Sequence, residues 1–113
     1  MAGKDSVNAR VRRGIKWLDK NKPGWENRVK LTRLDLGDCE DCILGQVFHK
    51  EARKIGTTGY DLIVWEGDQP KPNPWGGRRG FYDDDDAEYA VLADEWVAQI
   101  KARRKANREQ AAA

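Results

Sequence analysis

The sequence of 113 residues predicts a mainly α, small single-domain helical fold, and three observations lead to this prediction. Apolar residues recur at the spacing of one helix face in three segments. Five tryptophans give a chain with only 39% apolar residues enough large side chains for a modest core. Most of the prolines and many of the glycines lie in one stretch, which indicates a single long loop.

The same observations predict the domain organisation. Residues 1–108 are expected to form one helical domain with a Pro/Gly-rich loop at 66–80, followed by a frayed C-terminal tail at 109–113. No apolar run approaches the roughly 18 residues that cross a bilayer, and the N-terminus has no apolar signal core. With two cysteines and no signal, the expected location is the cytoplasm, and no membrane is expected among the partners.

The first predicted helix begins near residue 7 and ends before the Pro23–Gly24 pair, and Asp5 or Ser6 can cap it. Its apolar and basic residues fall on opposite faces: Val7, Val11, Ile15 and Leu18 against Arg12, Arg13, Lys16 and Lys20. Residues 25–31 are expected to be helical or irregular, and Thr32 can cap the turn that follows.

The second predicted helix covers residues 39–55, with Asp38 as its cap and Asp41 in its first turn. One broad side of this helix is apolar and is expected in the core: Ile43, Leu44, Val47, Phe48 and Ile55. The "GTTGY" segment at 56–60 ends it.

Residues 60–65, "YDLIVW", are β-branched and aromatic, which favours a strand or an extended buried segment. The sequence therefore allows a short β-strand or hairpin in the 60–82 region. The loop at 66–80 is long for so small a domain, and long ordered loops often carry function.

The last predicted helix covers residues 83–105. Its apolar stripe is expected to pack on the core: Tyr89, Leu92, Ala93, Trp96 and Ile100. Acids at its start and bases near its end both suit the helix dipole. The acids of the "DDDD" run at 83–86 could bind a divalent cation or imitate a phosphate backbone, but the dipole already accounts for them.

Charge divides the chain into three blocks. Residues 1–33, 34–98 and 99–113 carry net charges of +7, −9 and +4. The two ends and the middle are therefore expected to meet different surroundings, or to meet each other.

The pair Cys39 and Cys42 is the pattern that most resembles a chemical site. A structural zinc needs four ligands, and His49 lies about 10.5 Å along the predicted helix from Cys42. A redox pair needs a stable thiolate, which the acids at 38, 40 and 41 oppose. We therefore expect ordinary thiols beside a capped helix, with no metal, no cofactor, no catalytic residue and no enzymatic activity.

The loop at 66–80 and its flanks supply the predicted partner-binding residues. Arginine and tryptophan are over-represented at binding hot spots. The predicted set is Trp65, Trp75, Arg78, Arg79 and Phe81. An equally simple interpretation is a solvated loop whose aromatic side chains fold back into the core.

The basic ends of the chain predict an alternative, a nucleic-acid-binding accessory protein. Phosphate contacts would come from Arg10, Arg12, Arg13, Lys16, Arg103, Arg104 and Lys105. No helix-turn-helix, zinc-finger or OB-fold signature accompanies these residues, and the acidic middle would oppose nucleic acid.

The motifs "WLDKNKPGW", "LDLGDCEDCILGQVF" and "EYAVLADEWVAQI" resemble a pattern in small uncharacterised proteins of actinobacteriophages, over roughly residues 17–104. The resemblance implies a cytoplasmic accessory protein of an infected bacterial host, which binds and modulates a host protein. It also implies that Cys39 is dispensable, which argues against metal. The Pro-rich insert with Trp75 departs from the pattern, so a role for this insert is particular to this chain.

Overall fold

The computed structural model describes residues 6–66, 69–71, 75–83 and 86–112, and within these ranges the chain is mainly helical. The α-helices are α1 (Val7–Asn21), α2 (Ile43–Val47), α3 (His49–Lys54), α4 (Gly59–Val64), α5 (Trp75–Arg78) and α6 (Asp86–Ala112). Two 3-10 turns, Trp25–Asn27 and Leu31–Arg33, connect α1 to α2. Strands β1 (Trp65–Glu66) and β2 (Gln69–Pro70) form a small antiparallel hairpin, with Trp65 opposite Pro70. The predicted mainly α fold is confirmed.

Helix α1 forms as its sequence predicts. The Ser6 hydroxyl accepts a hydrogen bond from the Ala9 N–H at 3.1 Å, which caps the first turn. Val11 and Leu18 are fully buried, in agreement with the predicted apolar face. Gly24 follows the helix with a φ of 84°, a left-handed conformation that glycine adopts without strain.

Helices α1 and α6 run parallel and approach closely. The Asn8 amide donates to the Glu95 carboxylate at 3.3 Å, and further along Arg103 donates to the Asp19 carboxylate at 2.6 Å. Gly14 permits the approach, because a Cβ there would lie 2.9 Å from the Trp96 ring. The contacts advance in the same direction along both helices, and the first and last charge blocks meet where Arg103 pairs with Asp19.

Aromatic rings fill the core beside this helix pair. The Trp96 ring stacks on Phe81, with centroids 5.6 Å apart, and meets Trp25 edge to face at 5.8 Å. The buried Trp96 indole donates to the Gly80 carbonyl at 2.8 Å, so its one polar group is satisfied. Leu92 and Ile100 are fully buried on the same stripe of α6, as predicted.

The predicted second helix is wrong at its start and in its middle. The Asp38 carboxylate accepts from the Glu40 N–H at 2.8 Å, which closes a turn, and the helix begins only at Ile43. At Phe48 the backbone leaves helical geometry, with ψ at 18°, and divides the segment into α2 and α3. Arg28 donates to the Val47 carbonyl at 3.2 Å, so this side chain replaces one helical hydrogen bond at the break.

Ile55 was predicted to lie in the core, but it is 68% exposed. Helix α3 ends at Lys54, so Ile55 does not continue the apolar face of that helix. The other apolar residues predicted for this helix, from Ile43 to Phe48, are buried. Thr32 is not a helix cap, since it lies inside the 3-10 turn Leu31–Arg33.

The strand or extended segment predicted for residues 60–65 is mostly helix. The Thr58 hydroxyl accepts from the Asp61 N–H at 3.1 Å and caps α4. Gly59 lies so close to α2 that a Cβ would be 2.3 Å from the Leu44 carbonyl oxygen. Only Trp65 belongs to a strand, in the small hairpin that the sequence allowed.

Helix α6 begins at Asp86 and extends to Ala112, so the bases around Arg104 lie inside the helix rather than in its last turn. The prediction that these bases interact favourably with the C-terminal end of the helix dipole is therefore wrong. Residues 109–112 are helical, and the fraying of this end stays a prediction. Within the described ranges, no helix has both the length and the apolar character that crossing a bilayer requires.

Candidate functional site

The loop before α6 places Trp75 on the aromatic core. Its ring meets Trp17 edge to face at 5.3 Å and lies 5.9 Å from Phe81. Two cations approach the same ring: the Arg79 guanidinium lies 4.7 Å from its centroid and the Lys71 ammonium 4.9 Å. Such cation–π contacts contribute about 0.5–1 kcal/mol at exposed sites and more when water is excluded.

Backbone contacts fix this loop to α1. The Arg13 side chain donates to the Arg78 carbonyl at 2.7 Å. At Gly14 a Cβ would lie 2.2 Å from the Arg79 carbonyl oxygen, and at Gly80 one would lie 3.2 Å from the Val11 nitrogen. Gly80 also has a φ of 71°. Glycines on both sides of the contact therefore let the loop lie directly against the helix.

Three arginines from these two segments crowd together. The pKa of Arg79 is lowered from its ordinary value, first by burial and then by the positive charges of Arg78 and Arg13. The Arg79 side chain donates to the Trp75 carbonyl at 3.1 Å. The Arg78 side chain is exposed and forms no hydrogen bond or ion pair with the described part of the chain. We call the surface formed by these residues the arginine–tryptophan surface: Arg13, Lys71, Trp75, Arg78 and Arg79.

The predicted partner-binding residues divide into three groups. Arg79 lies over the Trp75 ring and Arg78 is exposed on the same short helix, and their role in binding a partner stays a prediction. Trp65 lies elsewhere, on a cleft that it shares with Ile55. Phe81 is only 1% exposed and stacks on the core, so its predicted contact with a partner is wrong.

Arg13, Lys71 and Trp17 complete the site and were not predicted as part of it. The first of these was assigned to the alternative nucleic-acid set, and the other two were assigned to no site. Arg13 meets the Arg78 carbonyl across 65 positions and Trp17 meets Trp75 across 58, so no local pattern could identify these two contacts. Lys71, in contrast, lies only four positions before Trp75.

Most of the predicted nucleic-acid-binding residues form hydrogen bonds or ion pairs with other residues of the chain. Arg10 is 5% exposed and forms an ion pair with Asp83 at 2.7 Å, so it is not a surface contact. Arg103 pairs with Asp19 at 2.6 Å and lies over the Trp25 ring at 5.4 Å.

Arg104 is also used internally, since it donates to the Glu26 carbonyl at 3.0 Å. Lys105 is exposed and lies 4.0 Å from Glu109. Arg12 and Lys16 remain exposed on α1. The predicted set is therefore not one continuous basic face.

Asp83, the first residue of the acidic run at 83–86, has a structural role. It is 4% exposed and neutralises Arg10. A buried carboxylate that pairs with a buried guanidinium is not available as a cation ligand or as an imitation of a phosphate. The middle of the run, 84–85, lies outside the described residues.

The two cysteines differ in environment. The Cys42 sulfur is buried and accepts a hydrogen bond from the Gly45 N–H at 3.2 Å as the cap of α2. Burial raises the pKa of Cys42 to about 12. Cys39 is exposed, and burial of part of its surface together with Asp61, Asp38 and Glu40 raises its pKa as well. In these surroundings both thiols favour the protonated form over the thiolate, which is the nucleophilic form in redox chemistry.

Comparison of the chain with protein-family models, with curated proteins and with solved structures gave no match. Within the described ranges, no three His, Cys, Asp or Glu side chains are grouped so that they could hold a metal ion. The arginine–tryptophan surface is therefore the arrangement from which a function is proposed.

Proposed function

We propose that the chain is a non-enzymatic accessory protein of the phage type, which binds and modulates a host protein through its arginine–tryptophan surface. The observation that supports this most is the contact of two distant segments. Arg13 of α1 donates to the Arg78 carbonyl, next to Arg79, whose guanidinium lies 4.7 Å from the centroid of the Trp75 ring. The resemblance of the sequence to actinobacteriophage proteins supports a host protein as the target.

The crowded arginines indicate the charge of the partner. Burial, and after it the nearby charges of Arg78 and Arg13, lower the pKa of Arg79 and so disfavour its charged form. Carboxylates on a partner would reverse this, because an acid within about 4–6 Å favours the charged guanidinium. Planar guanidinium groups bind carboxylates through paired hydrogen bonds. An acidic protein surface therefore fits this site.

The packing of the surface against α1 favours affinity. Residues 79–80 lie directly against α1 at Gly14 and Val11, and the Trp75 ring is supported by Trp17. A group that is already fixed loses little conformational entropy on binding, which leaves more of the contact energy for affinity. Arginine and tryptophan are also the side chains that most often dominate an interface.

Nucleic acid fits less well. Arg10, Arg103 and Arg104 are engaged by acids or carbonyl groups within the chain. Of the predicted phosphate contacts on α1, Arg12 and Lys16 are exposed. Binding to DNA or RNA would rest on these two and on exposed bases elsewhere, such as Lys105, and it would weaken steeply as salt increases.

An affinity pull-down from actinobacterial lysate tests the proposal, with the tagged parent protein run with and without nuclease. The expected result is one host protein that is captured in both arms and is lost with Arg78→Ala/Arg79→Ala. The matched control is Arg53→Ala/Lys54→Ala, which removes the same charge from exposed residues of α3.

The variant Arg12→Glu/Lys16→Glu separates the two candidate functions. It should retain most of the captured protein, because these residues lie outside the arginine–tryptophan surface. Capture that disappears with nuclease, or that depends on Arg12 and Lys16 more than on Arg78 and Arg79, would contradict the proposal and support nucleic-acid binding.

A further inference from the structure

A second surface, independent of the arginine–tryptophan surface, concentrates exposed apolar side chains. The exposed large hydrophobic residues of the described chain include Ile55, at 68%, and Trp65, at 48%. Both line one cleft of about 440 Å³, together with Leu62, Thr57 and Asp61. Single exposed apolar residues are ordinary on a protein surface, but their concentration around one concave site indicates binding.

The walls of this cleft are fixed by local structure. After α3 the chain turns at Gly56, which has a φ of 74°, and the Thr57 N–H donates to the Ala52 carbonyl at 3.0 Å. The Thr58 cap then starts α4, and Gly59 holds α4 at backbone distance from α2. The cleft therefore exists before anything binds in it.

The charge at this cleft is opposite to that of the arginine–tryptophan surface. Asp61 is the charged residue that lines it, and its side chain forms no ion pair with the described part of the chain. Among the described residues that line the cleft, Asp61 carries the one charge, and this charge is negative.

We propose that the cleft of Ile55, Leu62 and Trp65 binds a short segment of a partner protein in which apolar side chains stand next to lysine or arginine. Its volume lies in the range of roughly 300–1,000 Å³ that is typical of sites for small groups. A stable interface between folded chains buries about 800 Å² on each partner, which is more than two exposed side chains and the half-buried Leu62 provide. A short segment therefore fits better than a second copy of this chain.

The experiment titrates the full-length, ¹⁵N-labelled chain with two synthetic hexapeptides that share a Leu-Phe-Leu centre. One carries lysines at its ends and the other carries glutamates. The lysine peptide should shift the NMR signals of Ile55, Leu62 and the Trp65 indole, and it should bind at least five-fold more tightly than the glutamate peptide.

Three variants sharpen the result. Trp65→Ala should weaken binding of the lysine peptide at least tenfold, whereas Val91→Ala, at an equally exposed apolar position on α6, should leave it unchanged. Asp61→Asn should reduce the preference for lysine over glutamate and retain apolar binding. Circular dichroism of each variant checks that the fold is retained.

The proposal is overturned by equal affinity for the two peptides, by shifts that lie away from the cleft, or by no binding up to millimolar peptide. Shifts of the Ile55 and Trp65 signals that depend on the concentration of the chain alone would also overturn it. That last result would assign the cleft to a contact between copies of this chain. A failure of this proposal leaves the arginine–tryptophan surface untouched, because the two sites share no residue.

Discussion

Trp96 and Trp75 both pack on Phe81, but the two tryptophans differ in burial and in polar contacts. Trp96 is fully buried, and its indole donates to the Gly80 carbonyl. Trp75 is half-buried, rests on Trp17 and Phe81, and has two cations within 5 Å of its ring. One aromatic cluster therefore supports the fold on its inner side and carries the proposed binding surface on its outer side. Substitutions on the inner side should change stability, and those on the outer side should change binding.

The largest expected effect on stability is that of Trp96→Ala. Replacing a buried tryptophan with alanine typically costs about 3–5 kcal/mol, and a domain of this size has about 5–15 kcal/mol in total. Denaturant unfolding should show the variant close to unfolding at 37 °C. If Trp96→Ala melts within a few degrees of the parent protein, the apolar stripe of α6 is not the core that the structure describes.

A smaller loss is expected from Gly14→Ala, which tests the contact between the two sides. The added methyl group would lie 2.2 Å from the Arg79 carbonyl oxygen, so the loop must move away from α1. Such overpacking costs about 1–3 kcal/mol, which exceeds the gain in helix propensity of about 1 kcal/mol. The variant should also bind the partner more weakly, because Arg78 and Arg79 move with the loop.

Gly76→Ala is the matched control for this substitution. It adds the same methyl group in the same loop, where the nearest atom is 4.0 Å away. Equal unfolding free energies for the two alanine variants would show that the loop does not lie directly against α1.

The cysteines predict an effect that depends on pH. Burial raises the pKa of Cys42 to about 12 from 9.0, so the folded state favours the protonated thiol. This contribution to stability is present below pH 9 and is lost as the pH rises from there towards 12. Cys42→Ala should cost on the order of 1–3 kcal/mol at pH 7 and should lose less stability between pH 8 and pH 10 than the parent protein.

Cys39→Ala is the control for the buried thiol. Cys39 is exposed, so its replacement should change the unfolding free energy by less than about 0.5 kcal/mol. An equally steep loss of stability above pH 9 in the parent protein and in Cys42→Ala would assign the effect to other groups.

The sequence predicts the elements whose signals are local. Ser6 and the apolar spacing of α1 and α6 identify these two helices, because capping and periodicity depend on neighbouring residues. The cap of α4 was also local, since Thr58 precedes Asp61 by three positions, but the β-branched residues that follow favoured a strand.

The break at Phe48 and the candidate site depend on distant residues. Arg28 reaches the Val47 carbonyl from 19 positions away, and Arg10 meets Asp83 across 73 positions. No local pattern distinguishes a buried Phe81 from a half-buried Trp75, because both lie in the same loop region and both are aromatic. The aromatic and basic composition of the site was therefore predictable, whereas its geometry was not.

Calorimetry of the captured host protein with purified Arg78→Ala/Arg79→Ala tests the arginine–tryptophan surface most directly, with thermal stability measured on the same samples. We expect at least tenfold weaker binding, about 1.4 kcal/mol, with a melting temperature close to that of the parent protein and unchanged binding by Arg53→Ala/Lys54→Ala. If both double variants weaken binding equally, the loss of binding comes from the change in net charge. Unchanged binding by Arg78→Ala/Arg79→Ala would contradict the assignment of the arginine–tryptophan surface.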